Sequence, residues 1–223
     1  MQMLLLAAAV LGLIARDIHF SGPVNRVDHE IQRYLLTELS QPLTQVMFVI
    51  SWLGGVGIGY VAGLLVMMLL LQREWTWLLS LGVTMGAHDR LTILLKAFVH
   101  RPRPQIEHPI LVAPDSSFPS GHAMAAVMLY GWLAVYAFNS IHKKPWRVGA
   151  VSGCCTMVLL VSFSRMYLQV HYFSDVFGGA MCGVVWLLAS LTMAAHFETL
   201  RHYIAPAQQT KGEAIGLSEG ESS

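Results

Sequence analysis

Charged residues are scarce in this sequence, and their scarcity excludes most soluble folds. Only 12% of the 223 residues are Asp, Glu, Lys or Arg, against 55% hydrophobic residues, and the mean hydropathy is +0.54. An average soluble domain carries about twice that share of charge. The formal net charge is only +1 and basic runs are lacking, which argues against nucleic acid as a partner. The composition therefore indicates an integral membrane protein in contact with the phospholipid bilayer.

Cysteine is also scarce, and the three cysteines do not form a recognisable framework. Cys154, Cys155 and Cys182 lie inside apolar stretches and lack the spacing of metal ligands. We expect them to be packing residues. A carboxylate cluster of the kind that holds magnesium is lacking too, so we expect a site that uses no metal and no cofactor.

Six apolar segments are long enough to cross a membrane, which takes about 20 helical residues. They are approximately residues 1–19, 43–71, 75–99, 119–138, 148–168 and 176–197. The first is the weakest, because its apolar core stops before Arg16 and Asp17. A cleaved signal peptide is the alternative for this segment, although a positive n-region is missing. The sequence thus predicts an all-α integral membrane bundle of six transmembrane helices.

Two further segments have distinct patterns. Between the first and second spans, apolar residues recur at helical spacing opposite polar ones, which predicts an amphipathic helix in the membrane interface. Its apolar positions are Val27, Ile31, Tyr34, Leu35 and Leu39, and its polar positions are Asp28, Glu30, Gln32 and Arg33. This helix either forms a rim where a lipid enters or is a connector that rests on the bilayer. After Arg201 the chain is polar, so we predict a membrane domain over residues 1–200 and a disordered tail over residues 201–223.

Three polar motifs lie at the ends of predicted spans. They are residues 96–104 (KAFVHRPRP), 118–122 (FPSGH) and 164–175 (SRMYLQVHYFSD). Six antiparallel crossings place all three on one face of the membrane. The compact basic loop around Lys143, Lys144 and Arg147 lies on the opposite side, and such loops favour the cytoplasm. We therefore expect cytoplasmic termini and a site at the outer face of the cell membrane.

The cations and amides of these motifs suit a phosphoryl group, whose transfer requires positioning and electrostatic stabilisation. Lys96 supplies a point charge, and Arg103 and Arg165 each present a planar fork to two oxygens. Pro119 suits the first turn of a helix, so the amides of Ser120 and Gly121 are expected to point outward as an anion site.

Two histidines and an aspartate supply the groups for chemistry. His171 and Asp175 are four residues apart, which places them on one helical face if the last span begins early enough. A carboxylate on one ring nitrogen fixes the tautomer and leaves the other nitrogen as a nucleophile. His122 is then suited to protonate the departing oxygen.

The ordered set of motifs resembles the three-part signature of the type 2 phosphatidic acid phosphatase (PAP2) superfamily. The matching pattern is Lys, six residues, Arg-Pro; then Pro-Ser-Gly-His; then Ser-Arg, five residues, His, three residues, Asp. The resemblance implies metal-independent hydrolysis through a phosphohistidine on His171, with Asp175 in support and His122 as general acid. It also implies phosphate binding by Lys96, Arg103, Ser120, Gly121 and Arg165.

The resemblance implies a lipid phosphate or diphosphate as substrate. Undecaprenyl diphosphate, another isoprenoid diphosphate, or phosphatidylglycerol phosphate is the first expectation, and lipid A phosphate hydrolysis or phosphotransfer is the alternative within the family. Vanadium haloperoxidases use a similar constellation but are soluble. A noncatalytic protein that binds or transports a lipid phosphate is the alternative from another class.

A few polar and small residues lie outside the matched pattern. We expect His100 and His108 to be solvated loop residues and Asp89 to contact a neighbouring helix. The glycine-rich stretch is expected to permit close helix packing; it comprises Gly54, Gly55, Gly57, Gly59 and Gly63.

Overall fold

Helices account for the secondary structure of the part of the chain that the structure describes. The computed structural model describes residues 9–220 except 11, 15, 19, 21, 107–110 and 112–114. From residue 23 onward the described chain forms α1 (Pro23–Thr37), α2 (Gln41–Leu53), α3 (Val56–Gln72), α4 (Trp75–Gly86), α5 (His88–Val99), α6 (Gly121–Ala126), α7 (Trp132–Ser140), α8 (Lys144–Tyr167) and α9 (Phe173–Gly220). A π-helical turn, Val127–Gly131, joins α6 to α7. The expected all-α fold is confirmed for these residues.

Several of these helices are long and apolar enough to cross a membrane. Among the described residues three qualify singly: Gly121–Ser140, Lys144–Tyr167 and Phe173–Phe197. A fourth qualifies if α2 and α3, which meet at 45°, are taken as one bent span. The first predicted span falls largely outside the described residues, so the count of six stays a prediction.

Two spans that the sequence predicts as continuous are interrupted. The second breaks between α2 and α3 at Gly54 and Gly55, and the third breaks between α4 and α5 at Ala87. Gly54 packs closely against α8, since any Cβ there would collide with Val161, and Gly55 has a backbone conformation (φ −117°, ψ −114°) outside the helical region, which interrupts the helix. Of the other glycines in this stretch, Gly59 and Gly63 face open space, so close packing explains only part of the cluster.

The amphipathic helix predicted before the second span is present as α1, but one of its polar residues points inward. Asp28 is only 1% exposed, whereas Val27 and Tyr34 are 47% and 64% exposed. The expectation that Asp28 lies on the outer polar stripe is therefore wrong, because an ion pair described below holds it inside. The position of α1 in a membrane interface stays a prediction.

Helix α9 approaches the start of α6 closely, and this contact places the third motif beside the second. A Cβ at Gly179 would collide with the backbone of Ser120, and a Cβ at Gly183 would lie 2.9 Å from the carbonyl oxygen of Met124. Two glycines one turn apart thus let the helix backbones touch. Behind them, a core around Leu129, Trp132 and Val161 joins α3, α4, α7 and α8.

The polar tail differs from its expected backbone conformation. Helix α9 continues as far as Gly220, through most of the segment for which a disordered tail is predicted. Residues with good helix propensity, including Ala, Gln, Lys and Glu, are frequent there. The domain boundary near residue 200 stays a prediction.

Candidate active site

The three motifs meet at one cavity of about 630 Å³. Six of the eight predicted site residues line it: Lys96, Arg103, Gly121, His122, Arg165 and His171. The other two, Ser120 and Asp175, lie just behind the wall and are fully buried. The ends of α5 and α8 and the beginnings of α6 and α9 therefore converge as the sequence predicts, and both histidines face one cavity.

The turn between α8 and α9 holds His171 beside Arg165. Gln169 adopts a left-handed conformation with φ 58°, which reverses the chain after α8. The amides of Val170 and His171 then both donate to the carbonyl oxygen of Arg165, at 3.2 and 3.3 Å. These backbone hydrogen bonds thus fix the nucleophile candidate next to a cation that is predicted to bind phosphate.

Contacts of the His171 ring define its tautomer. Arg103 Nη1 donates to the carbonyl oxygen of Val170 at 2.7 Å and lies 3.3 Å from His171 Nε2. Because a guanidinium can only donate, Nε2 carries the lone pair and Nδ1 carries the proton. Nδ1 lies 3.7 Å from Asp175 Oδ2, a distance longer than a hydrogen bond but within reach of a small ring movement.

The environment of His171 keeps its ring neutral. Burial lowers the pKa of His171 to about 4, and this outweighs the opposing effect of the Asp175 carboxylate. At neutral pH the ring is therefore uncharged and its Nε2 lone pair is available. This is the protonation state that a nitrogen nucleophile requires.

Asp175 is oriented by the start of α9 rather than by a shared helical face. The helix begins at Phe173, three residues before the predicted span, but His171 still precedes it, so the condition for a shared helical face is not met. Asp175 occupies the third helical position and its Oδ2 accepts from the amide of Tyr172 at 2.8 Å, as in a capping box. Ser117 also donates to Oδ2, and Arg101 Nη1 donates to Oδ1 at 2.7 Å.

The start of α6 presents fewer free amides than the sequence suggests. The helix begins at Gly121, with Ser120 as its N-cap. The amide of Ser120 donates to the carbonyl oxygen of Asp175 at 2.9 Å, so it is not directed at the cavity. Gly121 lines the cavity as expected, and the missing side chain leaves its backbone accessible.

A carboxylate that the sequence did not reveal lies between two of the cations. Asp115 accepts from Lys96 and from Arg103 Nη2, the latter at 2.5 Å. Burial acts to raise the pKa of Asp115, but these hydrogen bonds outweigh it and lower the pKa to about 2. The carboxylate is thus ionised at neutral pH, where it bridges two groups expected to bind phosphate.

The Arg165 side chain extends from α8 into the cavity, and a hydroxyl group on α2 holds its guanidinium. Its Nη1 donates to the hydroxyl of Ser51 on α2. Its Nε is buried and has no hydrogen-bond partner in the described part of the protein. A buried donor without a partner is costly, so Nε is suited to an oxygen of a ligand in the cavity.

His122 lies against the break between α2 and α3, where it lines the same cavity as the cations. A Cβ at Gly55 would lie 2.7 Å from His122 Nε2, so the absence of a side chain at position 55 leaves room for the ring. The same part of the cavity is lined by His88, Asp89 and Thr92 on α5.

Within the α5 cluster of His88, Asp89 and Thr92, Asp89 differs from its predicted contact. His88 Nδ1 lies 2.9 Å from Asp89 Oδ1, and its Nε2 lies 3.0 Å from the carbonyl oxygen of Gly121. Asp89 therefore contacts its own helix and faces the cavity, not a neighbouring helix as predicted. Its side chain is 91% exposed, which leaves the carboxylate accessible.

Sequence reasoning missed several residues that support the site. Arg101, Ser117, Ser51 and Asp115 contact predicted site residues directly. Of these four residues, Arg101 alone could have been identified from the sequence, since it lies inside the first motif. The described residues contain no group of three or more His, Cys, Asp or Glu side chains that could hold a metal ion.

The sequence is similar to a protein family and to several proteins of known activity. Residues 77–198 match the PAP2 superfamily. Phosphatidylglycerophosphatase B of Bacillus subtilis is 32% identical over 182 residues, covering 78% of this chain and 85% of that protein. Lipid phosphate phosphatase delta of Arabidopsis thaliana is 29% identical over 108 residues, which cover 48% of this chain and 25% of the plant protein.

Two solved structures are similar in fold. The crystal structure of a transmembrane PAP2 type phosphatidylglycerolphosphate phosphatase from Bacillus subtilis superposes with a TM-score of 0.74 at 25% identity, covering 89% of this chain and 97% of that one. LpxE of Aquifex aeolicus superposes with a TM-score of 0.58 at 26% identity, covering 73% and 93%.

Proposed function

The chain belongs to the PAP2 superfamily and is a membrane lipid phosphatase, and we propose that it hydrolyses phosphatidylglycerol phosphate through a phosphohistidine on His171. The observation that carries the mechanism is the meeting of His122, His171 and three cations at one cavity. A noncatalytic lipid-binding role does not explain a neutral, oriented imidazole beside those cations.

In the proposed complex the terminal phosphate displaces Asp115 and binds Lys96, Arg103 and Arg165. The cations neutralise charge on the equatorial oxygens, as phosphoryl transfer requires. Gly121 contributes close backbone approach. Ser120 contributes indirectly, because its side chain caps α6 and its amide holds Asp175.

His171 then attacks the phosphorus atom through Nε2. The N–P bond forms, the bond from phosphorus to the lipid oxygen breaks, and His122 gives its proton to that departing oxygen. Asp175 stabilises the positive charge that develops on the His171 ring, because Nδ1–H faces its carboxylate. In the second step His122 takes a proton from water, the water oxygen bonds to phosphorus, and the N–P bond breaks to release inorganic phosphate.

The His122 flank of the cavity favours a leaving group with hydroxyls. A leaving group whose oxygen lies near His122 extends toward His88, Asp89 and Thr92, which offer an accessible carboxylate and a hydroxyl. The leaving group of phosphatidylglycerol phosphate is phosphatidylglycerol, whose head-group glycerol has a free hydroxyl next to the leaving oxygen that can bond to such groups. The diacylglycerol of phosphatidic acid has no free hydroxyl near its leaving oxygen, and the leaving group of an isoprenoid diphosphate is an anionic monophosphate, which the Asp89 carboxylate disfavours. The similarity to a phosphatidylglycerophosphatase supports the same choice.

We propose that the chain crosses the cell membrane six times, with α2 and α3 as one crossing and α4 and α5 as another. Helix α8 separates the basic loop at Lys143 and Lys144 from the site at Arg165 by a span of 24 residues, about 36 Å long. The positive-inside tendency then supports cytoplasmic termini and an active site at the outer face.

A phosphate-release panel tests the substrate. Purified protein in detergent micelles with EDTA receives phosphatidylglycerol phosphate, phosphatidic acid and undecaprenyl diphosphate. We expect the highest kcat/KM for phosphatidylglycerol phosphate. Asp89→Asn should reduce this preference while leaving turnover of phosphatidic acid nearly unchanged. Preference for another lipid would refute the substrate but not the phosphatase, whereas a magnesium requirement would contradict the mechanism.

A further inference from the structure

A buried ionic network lies behind His171 and joins α1 to the start of α9. Arg101 is its centre: Nη1 donates to Asp175 Oδ1 at 2.7 Å, and Nη2 donates to Asp28 Oδ2 at 2.8 Å. The side chains of Arg101, Asp28 and Asp175 are 3%, 0% and 0% exposed. The network is therefore shielded from water, where such contacts are strong and unpaired charges are costly.

Further hydrogen bonds and one aromatic contact hold the side chains of Arg101 and Asp28 in place. Arg101 Nη1 also donates to Ser174 Oγ at 2.8 Å, and Nη2 donates to Asn25 Oδ1 at 3.0 Å. The amide and hydroxyl of Ser174 donate to Asp28 at 2.9 and 2.5 Å. The guanidinium also lies over the ring of Tyr172, 4.0 Å from its centroid. The Arg101 guanidinium is thus fixed on several sides.

The net charge of this network is suited to stabilise the positive charge that the proposed reaction places on the His171 ring. One arginine between two carboxylates has a net charge of −1, and the His171 ring lies beside this group, with Nδ1 3.7 Å from Asp175 Oδ2. When Nε2 of His171 bonds to phosphorus, the ring becomes positive. A buried negative group then stabilises that state, provided that Asp175 keeps its charge and its orientation.

We propose that Arg101 and Asp28 are positioning residues for catalysis, which hold Asp175 ionised and turned toward His171. Arg101 occupies Oδ1 of Asp175, while Ser117 and the Tyr172 amide bind Oδ2 and aim it at the His171 ring. Asp28 balances the charge of Arg101 and ties α1 to the site. The proposal rests on the proposed role of His171 as nucleophile.

The test separates positioning from simple structural support. Arg101→Met leaves two buried carboxylates without a cation, which should lower both Tm and kcat. The double variant Arg101→Met with Asp28→Asn removes one of these carboxylates, so Tm should recover toward wild type. Because Asp175 still lacks its partner, kcat should stay low by roughly 100-fold, the loss typical of a misplaced catalytic group.

Binding at the phosphate site provides the second readout. Lys96, Arg103 and Arg165 do not contact Arg101 in the described contacts, so KM and inhibition by vanadate should change little in the double variant. Arg101→Lys retains the charge but not the two-armed bridge, and should show a smaller Tm loss with a clear kcat loss.

Recovery of kcat together with Tm in the double variant would overturn the proposal and leave a structural role only. So would wild-type kcat in a folded Arg101→Met protein. If Arg101→Met does not fold, the double variant and Arg101→Lys still decide. His171→Ala is measured in parallel: wild-type turnover in that variant would refute the proposed nucleophile itself, a failure distinct from that of the positioning role.

Discussion

Gly55→Ala should impair proton donation by His122 without disturbing phosphate binding. The added Cβ would lie 2.7 Å from His122 Nε2, although a carbon and a nitrogen in ordinary contact are more than 3 Å apart. Gly55 belongs to the break that bends α2 against α3, so its backbone has little freedom to retreat. We therefore expect the tip of the His122 ring to move by about 0.5 to 1 Å, away from the leaving oxygen.

A displacement of this size has a calculable consequence. Misplacing a catalytic group by about 1 Å costs up to roughly 100-fold in rate, or about 2.7 kcal/mol. Only the step that needs a proton donor should slow. Release of a lipid alcohol requires that proton, whereas release of a nitrophenolate does not, because nitrophenolate is a stable anion.

The assay compares kcat for phosphatidylglycerol phosphate and for p-nitrophenyl phosphate in wild type, Gly55→Ala and Gly59→Ala. Gly59 lines the same cavity, but a Cβ there meets nothing within 4 Å, so it is the matched control. Gly55→Ala should lose activity on the lipid and keep most of it on the nitrophenyl ester, and Gly59→Ala should resemble wild type. Equal losses on both substrates, or equal behaviour of the two variants, would refute the role of His122 as general acid.

Two further predictions concern charge. Asp115→Asn should tighten vanadate inhibition by about 2-fold to 10-fold, because an exposed carboxylate no longer competes with vanadate for Lys96 and Arg103. Asp89→Asn is the control, since it removes an equal charge from the cavity without touching those cations. An equal tightening of vanadate inhibition in Asp89→Asn would contradict the competition. The His171 ring should be protonated only below about pH 4 and neutral above it. Nitrogen NMR of histidine-labelled protein measures this titration, with His171→Ala to assign the signal. A titration of the His171 signal near pH 6.5 would disprove the prediction.

Local motifs made the cavity wall predictable. His122, Arg165 and His171 carry chemistry that few structural roles require, and the alternation of apolar spans places them on one face. Hydrogen bonds that depend on the exact distance between two helix backbones could not be predicted from the motifs. The amide of Ser120 is taken by the carbonyl oxygen of Asp175, a bond that depends on how closely α9 packs against α6.

The buried network illustrates a second limit of prediction. Asp28 and Arg101 are 73 residues apart, and neither has a partner at a recognisable spacing. Helical periodicity identifies Asp28 as a member of a polar stripe, but a polar stripe can face water or a buried cation equally well. The folded chain decides between them, because the turn before α9 brings Asp175 and Ser174 to the same arginine.

Trapping of the covalent intermediate tests the central claim most directly. Enzyme mixed with phosphate-labelled lipid and quenched in alkali, where phosphohistidine survives, should carry label on the peptide that contains His171. The label should be absent from His171→Ala and should persist longer in His122→Ala, which lacks the base for hydrolysis. Turnover without any labelled enzyme, or label on another residue, would contradict the account.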